Sequence, residues 1–231
     1  TETKLTTYDE NEFSQDLMVN NPQLWTLNSP ALYKAVSKLY AEGKLVDEYS
    51  TTFGIRTIEI IPDKGFFLNG EKVVFQGVCN HHDLGPLGAA VNDAAIRRQI
   101  RILKDMGVNA IRTSHNMPAP ELVRACDEMG MMIMAESFDE WRHAKVKNGY
   151  NLLFDEWAEK DMVNLLHNFR NSASLVMWCI GNEVIEQGVP GASKTARFLQ
   201  DICHREDPTR PVTQGMDQPG SVLNNNFAAV M

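Results

Sequence analysis

The sequence predicts an α/β protein: part of a (β/α)8, or TIM, barrel, about four and a half βα units of it, preceded by part of an all-β sandwich. Three observations carry this. The first 62 residues are rich in Thr, Ser, Tyr and Val and are broken by turn signals. From about residue 66 the pattern changes to repeated strand, loop and helix. Four consecutive strands then end in polar or ionisable residues.

In the first region, Asn20-Asn21-Pro22, Asn28-Ser29-Pro30 and Glu42-Gly43-Lys44 are turn signals. Residues 32–40 (LYKAVSKLY) and 48–60 (EYSTTFGIRTIEI) read as strands at alternating spacing joined by a short hairpin. About four strands are visible, against roughly seven in a complete sandwich. Residues 1–62 are therefore expected to be the C-terminal part of a sandwich, and 63–231 the N-terminal half of a barrel.

The barrel units follow in order. KVVFQGVC (72–79) reads as a strand. Residues 93–107 read as a helix with Ile96, Ile100 and Leu103 on one face and Gly107 as its stop. VNAIRTS (108–114) is the second strand. A helix over 120–130 starts at Pro120 and carries Leu122, Ala125, Cys126 and Met129 on one face. MMIMAES (131–137) is the third strand, and 153–169 a helix with Phe154, Trp157, Asp161, Leu165 and Phe169 at roughly helical spacing. SLVMWCI (174–180) is the fourth strand, 194–206 a helix, and RPVTQG (210–215) opens a fifth strand.

Nearly continuous apolar strands imply a parallel sheet covered by helices. A doubly wound sheet and a barrel both satisfy that, and the strand ends decide between them. They read Asn80-His81-His82-Asp83, then Arg112-Thr113-Ser114-His115-Asn116, then Glu136, then Asn182-Glu183. A barrel gathers such groups from many strands at one rim, whereas a doubly wound sheet concentrates them at a switch point. No glycine-rich phosphate loop follows the first strand, which argues against a dinucleotide. Eight units need about 250 residues, so the barrel is not expected to close within this chain, which reads as a piece of a longer polypeptide.

The net charge of −8 argues against nucleic acid held through phosphates, and no apolar run approaches the roughly 18 residues of a membrane span. A neutral ligand such as a sugar fits this balance. Cys79, Cys126, Cys179 and Cys203 lie in apolar patterns without metal-ligand spacing and are expected to be buried free thiols.

The chemistry centres on SLVMWCIGNEV, residues 174–184. Gly181 is expected to let the backbone turn, aiming Asn182 and Glu183 from the rim into the pocket. A carboxyl beside apolar walls, with Trp178 as neighbour, would have a raised pKa and suit a general acid. The alternative is that Glu183 caps the following segment. Asn182 offers a donor and an acceptor to a sugar hydroxyl.

The stretch VMWCIGNE (176–183) closely resembles the signature around the acid/base glutamate of glycoside hydrolase family 2, which includes β-galactosidases, β-glucuronidases and β-mannosidases. The resemblance extends to LWTLNSPALY (24–33), FGIRTIEI (53–60), FFLNGEKVVFQGVCNHHD (66–83) and residues 106–137. It implies an immunoglobulin-like sandwich joined to a catalytic TIM barrel, and a retaining exo-glycosidase acting on terminal β-D-galactosides. By that resemblance Glu183 is the acid/base and Asn182 hydrogen-bonds the sugar 2-hydroxyl. His81 and His115 stand near the sugar, Asp83 binds hydroxyls as in glucuronidase-like members, Arg112 orients carboxylates, and Glu136 is the acidic residue ending the third strand.

Asp139, Glu140 and Trp141 either contact sugar, with Trp141 stacking on a ring face, or start a surface loop. His82 is as well suited to a loop as to a ligand, and His143, His167 and His204 are expected on the surface or in the core. Some relatives hold a magnesium ion with a Glu and a His two residues later. Here that pair reads Glu140 and Arg142, and arginine cannot ligate a cation, so no metal or other cofactor is expected. The nucleophilic glutamate of the family has no match and is expected beyond Met231, which makes the chain by itself inactive. The alternatives are a β-glucuronidase, a β-mannosidase, or a non-catalytic carbohydrate-binding or assembly fragment that self-associates through open barrel edges.

Overall fold

The computed structural model describes residues 14–229, so the front of the expected sandwich segment, residues 1–13, lies outside the described residues. An antiparallel hairpin comes first. Strands β1 (Tyr33–Ala41) and β2 (Lys44–Phe53) pair from Tyr33↔Phe53 to Ala41↔Lys44. Glu42 and Gly43 turn it at φ of 50° and 77°, the left-handed region that hairpin turns require.

Residues 48–60 do not form one strand, contrary to the pattern. The chain leaves β2 at Phe53 and passes so close to Ala173 that a Cβ on Gly54 would stand 2.5 Å from the alanine Cβ. Arg56 then reaches the carbonyls of Ala173 (2.7 Å) and Leu175 (2.5 Å). Between the strands the Ile55 carbonyl accepts from the Trp25 N–H at 2.8 Å rather than from a ladder partner.

Strands β3 (Ile58–Ile61), β4 (Gly65–Leu68) and β5 (Glu71–Val73) form an antiparallel sheet in that order. A division at residue 62 would cut the turn of the β3–β4 hairpin. From β4, Phe66 and Leu68 enter a core with Trp25, Ala110, Met132, Ala173, Val176 and Met177. Burying Phe66 and Leu68 contributes about 1.5–3 kcal/mol each.

The main sheet is parallel. It consists of β6 (Gly77–His81), β7 (Ala110–Ser114), β8 (Met132–Glu136), β9 (Leu175–Asn182) and β10 (Val212–Gly215), hydrogen-bonded in strictly sequential order. A doubly wound sheet would reverse its order partway. Helices α1 (Asp93–Asp105), α2 (Pro120–Met129), α3 (Phe154–Phe169) and α4 (Ser193–Glu206) connect the strands. Their buried faces share one core with Ile111, Ile133, Trp178 and Ile180, so all four lie on the same side. Sequential parallel strands with helices on one side are the wall of a TIM barrel. Because Ala110 and Met132 open β7 and β8, the three-stranded sheet plugs this wall at its amino-terminal end.

Local signals explain the helix ends. Asn92 caps α1 by accepting from the Ala95 N–H, and Pro120 begins α2. Helix α2 stops at Gly130, at φ 69°, where a Cβ would lie 2.2 Å from the Leu27 carbonyl oxygen.

Other expectations are corrected. Residues 72–79 split into β5 and β6, because β5 pairs antiparallel with β4 while β6 pairs parallel with β7. The Asn109 side chain bridges the step, accepting from the Gln76 N–H and donating to the Val74 carbonyl. On α3, Trp157 is 42% exposed beneath the Lys160 ammonium, and Ala158, Met162 and Leu166 take the buried face. Cys79 is exposed rather than buried: it lies on the edge strand β6, with its Sγ 3.7 Å from Arg112 Nη1. A short helix α5 (Val222–Ala228), capped by Ser221, was not anticipated in its Asn-rich sequence. No helix among the described residues is long and apolar enough to cross a membrane.

Candidate active site

The carboxyl-terminal ends of β6 to β9 assemble a connected polar cluster. Glu136 ends β8 with its side chain 0% exposed. Its Oε1 faces His115 Nδ1 at 2.8 Å, and its Oε2 takes the Arg112 guanidinium and the Cys179 thiol. The Glu136 N–H donates to Thr113 Oγ1 at 2.9 Å. The Nδ1 contact fixes the ring orientation and leaves Nε2 free of Glu136. The His115 ring meets His81 edge-on, with centroids 5.3 Å apart. The Ser114–His115 peptide is cis.

Arg112 reaches further. The same Nη2 that pairs with Glu136 donates to Asn182 Oδ1 at 2.9 Å. A Cβ on Gly215, at the end of β10, would sit 2.5 Å from this nitrogen, so glycine is needed for the guanidinium to enter. Burial pushes the Glu136 carboxyl above its ordinary range, and the opposing pull of Arg112, Cys179 and His115 does not fully offset it. Burial likewise pushes the Cys179 thiol up to about 12, which keeps it a neutral donor.

Asn182 is buried, whereas Glu183, next along the chain, is exposed. The left-handed backbone falls at Glu183 itself, φ 43°, and not at Gly181. Gly181 is needed for a different reason: a Cβ there would lie 2.9–3.1 Å from the Trp141 indole. The Glu183 N–H donates to the Gly215 carbonyl at 2.8 Å, and no described residue hydrogen-bonds its carboxylate. The capping alternative is not supported, since the 3-10 turn at Ile185–Gly188 has no side-chain cap. Nor does Trp178 wall this carboxyl. It is buried on the helix side, donating to Asp207 Oδ2 at 2.9 Å beside the Arg210 guanidinium.

Of the residues singled out from the sequence, His81, Arg112, His115, Glu136 and Asn182 come together. Asp83 lies in the loop after His81, and its Oδ1 accepts from the Gly85 N–H at 2.5 Å, making a local turn. Trp141 is the clear correction. It is fully buried, donates to the Ile180 carbonyl at 2.9 Å and stacks on Phe227, so its ring faces cannot meet a sugar. His82 engages the Ala89 carbonyl. Two residues gain importance: Asp139 Oδ1 accepts from Asn182 Nδ2 at 3.0 Å and from Lys145 Nζ at 3.0 Å. Lys145 carried no sequence signal, because it sits in an aperiodic loop.

The residues do not fit a magnesium ion at the Glu140–Arg142 pair. Both Glu140 oxygens accept backbone N–H groups, from Lys145 and Asn151. Arg142 turns away to Asp155 and Thr195. Among the described residues no three His, Cys, Asp or Glu side chains converge as metal ligands.

Comparison with known proteins places this geometry. The model for the glycosyl hydrolases family 2 TIM barrel domain matches residues 59–229, and a second family 2 model matches residues 1–56. Beta-galactosidase BoGH2A of Bacteroides ovatus is 42% identical over 90% of this chain and 28% of its own length. A putative beta-glucuronidase of Formosa agariphila is 40% identical over 89% of this chain and 19% of its own. The crystal structure of a family 2 member from Bacteroides cellulosilyticus superposes with a TM-score of 0.87 at 38% identity, covering 90% of this chain and 27% of that one. The chain thus spans roughly a quarter of the length of such relatives.

Proposed function

The chain belongs to glycosyl hydrolases family 2, and from that premise we propose that it supplies the acid/base half of a retaining exo-glycosidase acting on terminal β-D-galactosides. The observation carrying this reading is the contrast between adjacent residues: Asn182 is locked by Arg112 and Asp139, while Glu183 is exposed at the same rim and no described residue hydrogen-bonds its carboxyl. Glu183 protonates the departing glycosidic oxygen and later deprotonates the water that releases the sugar. The nucleophile, a carboxylate about 5–5.5 Å away in such enzymes, comes from outside this chain. Asn182, His81 and His115 bind sugar hydroxyls, and Asp83 serves the same pocket. Arg112 and Glu136 hold Asn182 and His115 in place. The domain junction in this reading lies between the two family matches, at residues 56–59.

The galactoside preference is supported by the similarity to BoGH2A, and a second reading, a glucuronide, by the nearly equal similarity to the Formosa agariphila protein. The test is turnover of 4-nitrophenyl β-galactoside and β-glucuronide by the parent enzyme and its E183Q variant. We expect galactoside turnover that falls about 10²–10⁴-fold in E183Q. Full activity of E183Q would overturn the acid/base assignment, and glucuronide turnover alone would overturn the sugar. The isolated 231-residue chain is expected to be inactive and to self-associate through the edges β6 and β10. A monodisperse monomer on sizing chromatography would refute the latter.

A further inference from the structure

We propose that Lys145 and Asp139 are positioning residues that hold the Asn182–Glu183 peptide and so set where the Glu183 carboxyl stands. The inference rests on the acid/base reading above and adds residues outside that assignment. The peptide preceding Glu183 is pinned at both ends. Its carbonyl, from Asn182, accepts from Lys145 Nζ at 2.7 Å, and its N–H donates to the Gly215 carbonyl at 2.8 Å. Glu183 is thereby kept at φ 43°, a conformation that non-glycine residues visit rarely and that persists only where surroundings impose it. Asp139 completes the grip. One of its oxygens accepts from both Lys145 Nζ and Asn182 Nδ2, each at 3.0 Å, while Arg112 holds Asn182 Oδ1. The Asn182 amide therefore has one orientation, with one N–H left for a ligand.

Lys145 is not a wandering surface lysine. Its side chain is 21% exposed, and its own N–H donates to Glu140 Oε2 at 2.6 Å. Glu140 Oε1 accepts from Asn151, at the far end of the same loop. Gly149 permits this, since a Cβ there would lie 1.7 Å from Glu140 Oε1. The loop is built around a buried carboxylate, and it delivers the ammonium to the rim. Burial raises the Asp139 carboxyl, but the hydrogen bonds from Asn182 and Lys145 outweigh it, so Asp139 stays below its ordinary range and anionic.

The test uses the parent enzyme and two aryl glycosides of the sugar it hydrolyses. Phenyl is a poor leaving group that needs protonation, and 2,4-dinitrophenyl is a good one that does not. A misplaced acid should cost K145M about 100-fold in kcat/KM on the phenyl glycoside. The dinitrophenyl glycoside should lose less than about threefold, because acid assistance contributes little there. D139N should shift the same way by a smaller factor. K145R, which keeps a cation and donors, should regain about tenfold over K145M. Equal losses on both substrates, no loss on either, or failure of K145R to improve on K145M would overturn the inference. E183Q separates the two layers. If it is unselective between the glycosides, the acid/base reading fails and this inference with it. If E183Q is selective and K145M is not, only this inference fails.

Discussion

Arg112 donates to Asn182 Oδ1 across 2.9 Å, joining the ends of β7 and β9, which are not neighbours in the sheet. The guanidinium bridges over β8 by pairing with Glu136 on the way. Removing it would leave a fully buried carboxyl without its cation. R112M should lose about 3 kcal/mol of stability, because breaking a buried pair strands the remaining charge. Urea unfolding of the purified chain measures this, and a change below about 1 kcal/mol would mean that the pair is only a surface interaction.

Gly181 meets the nitrogen-bearing side of the Trp141 indole, at Nε1, Cε2 and Cζ2. The indole is fixed by the Ile180 carbonyl and by Phe227, so it cannot yield to a new methyl group. G181A should therefore cost about 1–3 kcal/mol by overpacking. Thermal unfolding should show a lowered midpoint, and a neutral result would place the ring elsewhere.

The thiols divide three to one. Cys126, Cys179 and Cys203 are 0% exposed, while Cys79 is exposed. Dithionitrobenzoate should titrate one thiol rapidly in the folded chain and four in denaturant. Burial raises all three buried thiols above their ordinary range, Cys179 to about 12. Their stabilising contribution is complete below the unfolded thiol value of about 8.5 and is lost as pH rises above it toward the folded values. Urea midpoints should fall between pH 8 and 10, and C203A should flatten part of that fall.

Asp207 has the opposite sign. Burial would raise its carboxyl, but Arg210 at 2.6 Å, Thr209 and Trp178 outweigh this and hold it below the ordinary range. Its contribution is present above the unfolded carboxyl value of about 3.9 and is lost as pH falls through the lower folded value. D207N should destabilise the chain at pH 7 and weaken the acid dependence below about pH 4. An unchanged acid profile would contradict the pairing.

The rim residues His81, Arg112, His115, Glu136 and Asn182 were legible because parallel strands must deliver their last residues to one side, whatever the packing details. What the pattern missed depends on three-dimensional partners. Trp141 sits beside two carboxylates, as a sugar platform would, yet Phe227, on a helix the pattern did not reveal, claims its face. Residues 72–79 read as one mostly apolar run, but their pairing partner changes from β4 to β7 midway. Lys145 was invisible because its position depends on Glu140 folding the loop around itself. Glycines 149 and 215 matter through what a methyl group would strike, which no periodicity records.

Arg56 fastens β9 at its first residue, and the proposed acid/base site adjoins the last. Foundation and workbench are thus opposite ends of one strand. Substitutions that retune substrate choice can accumulate at the upper end while the lower end keeps the architecture in register, a separation that favours divergence of specificity on a constant frame.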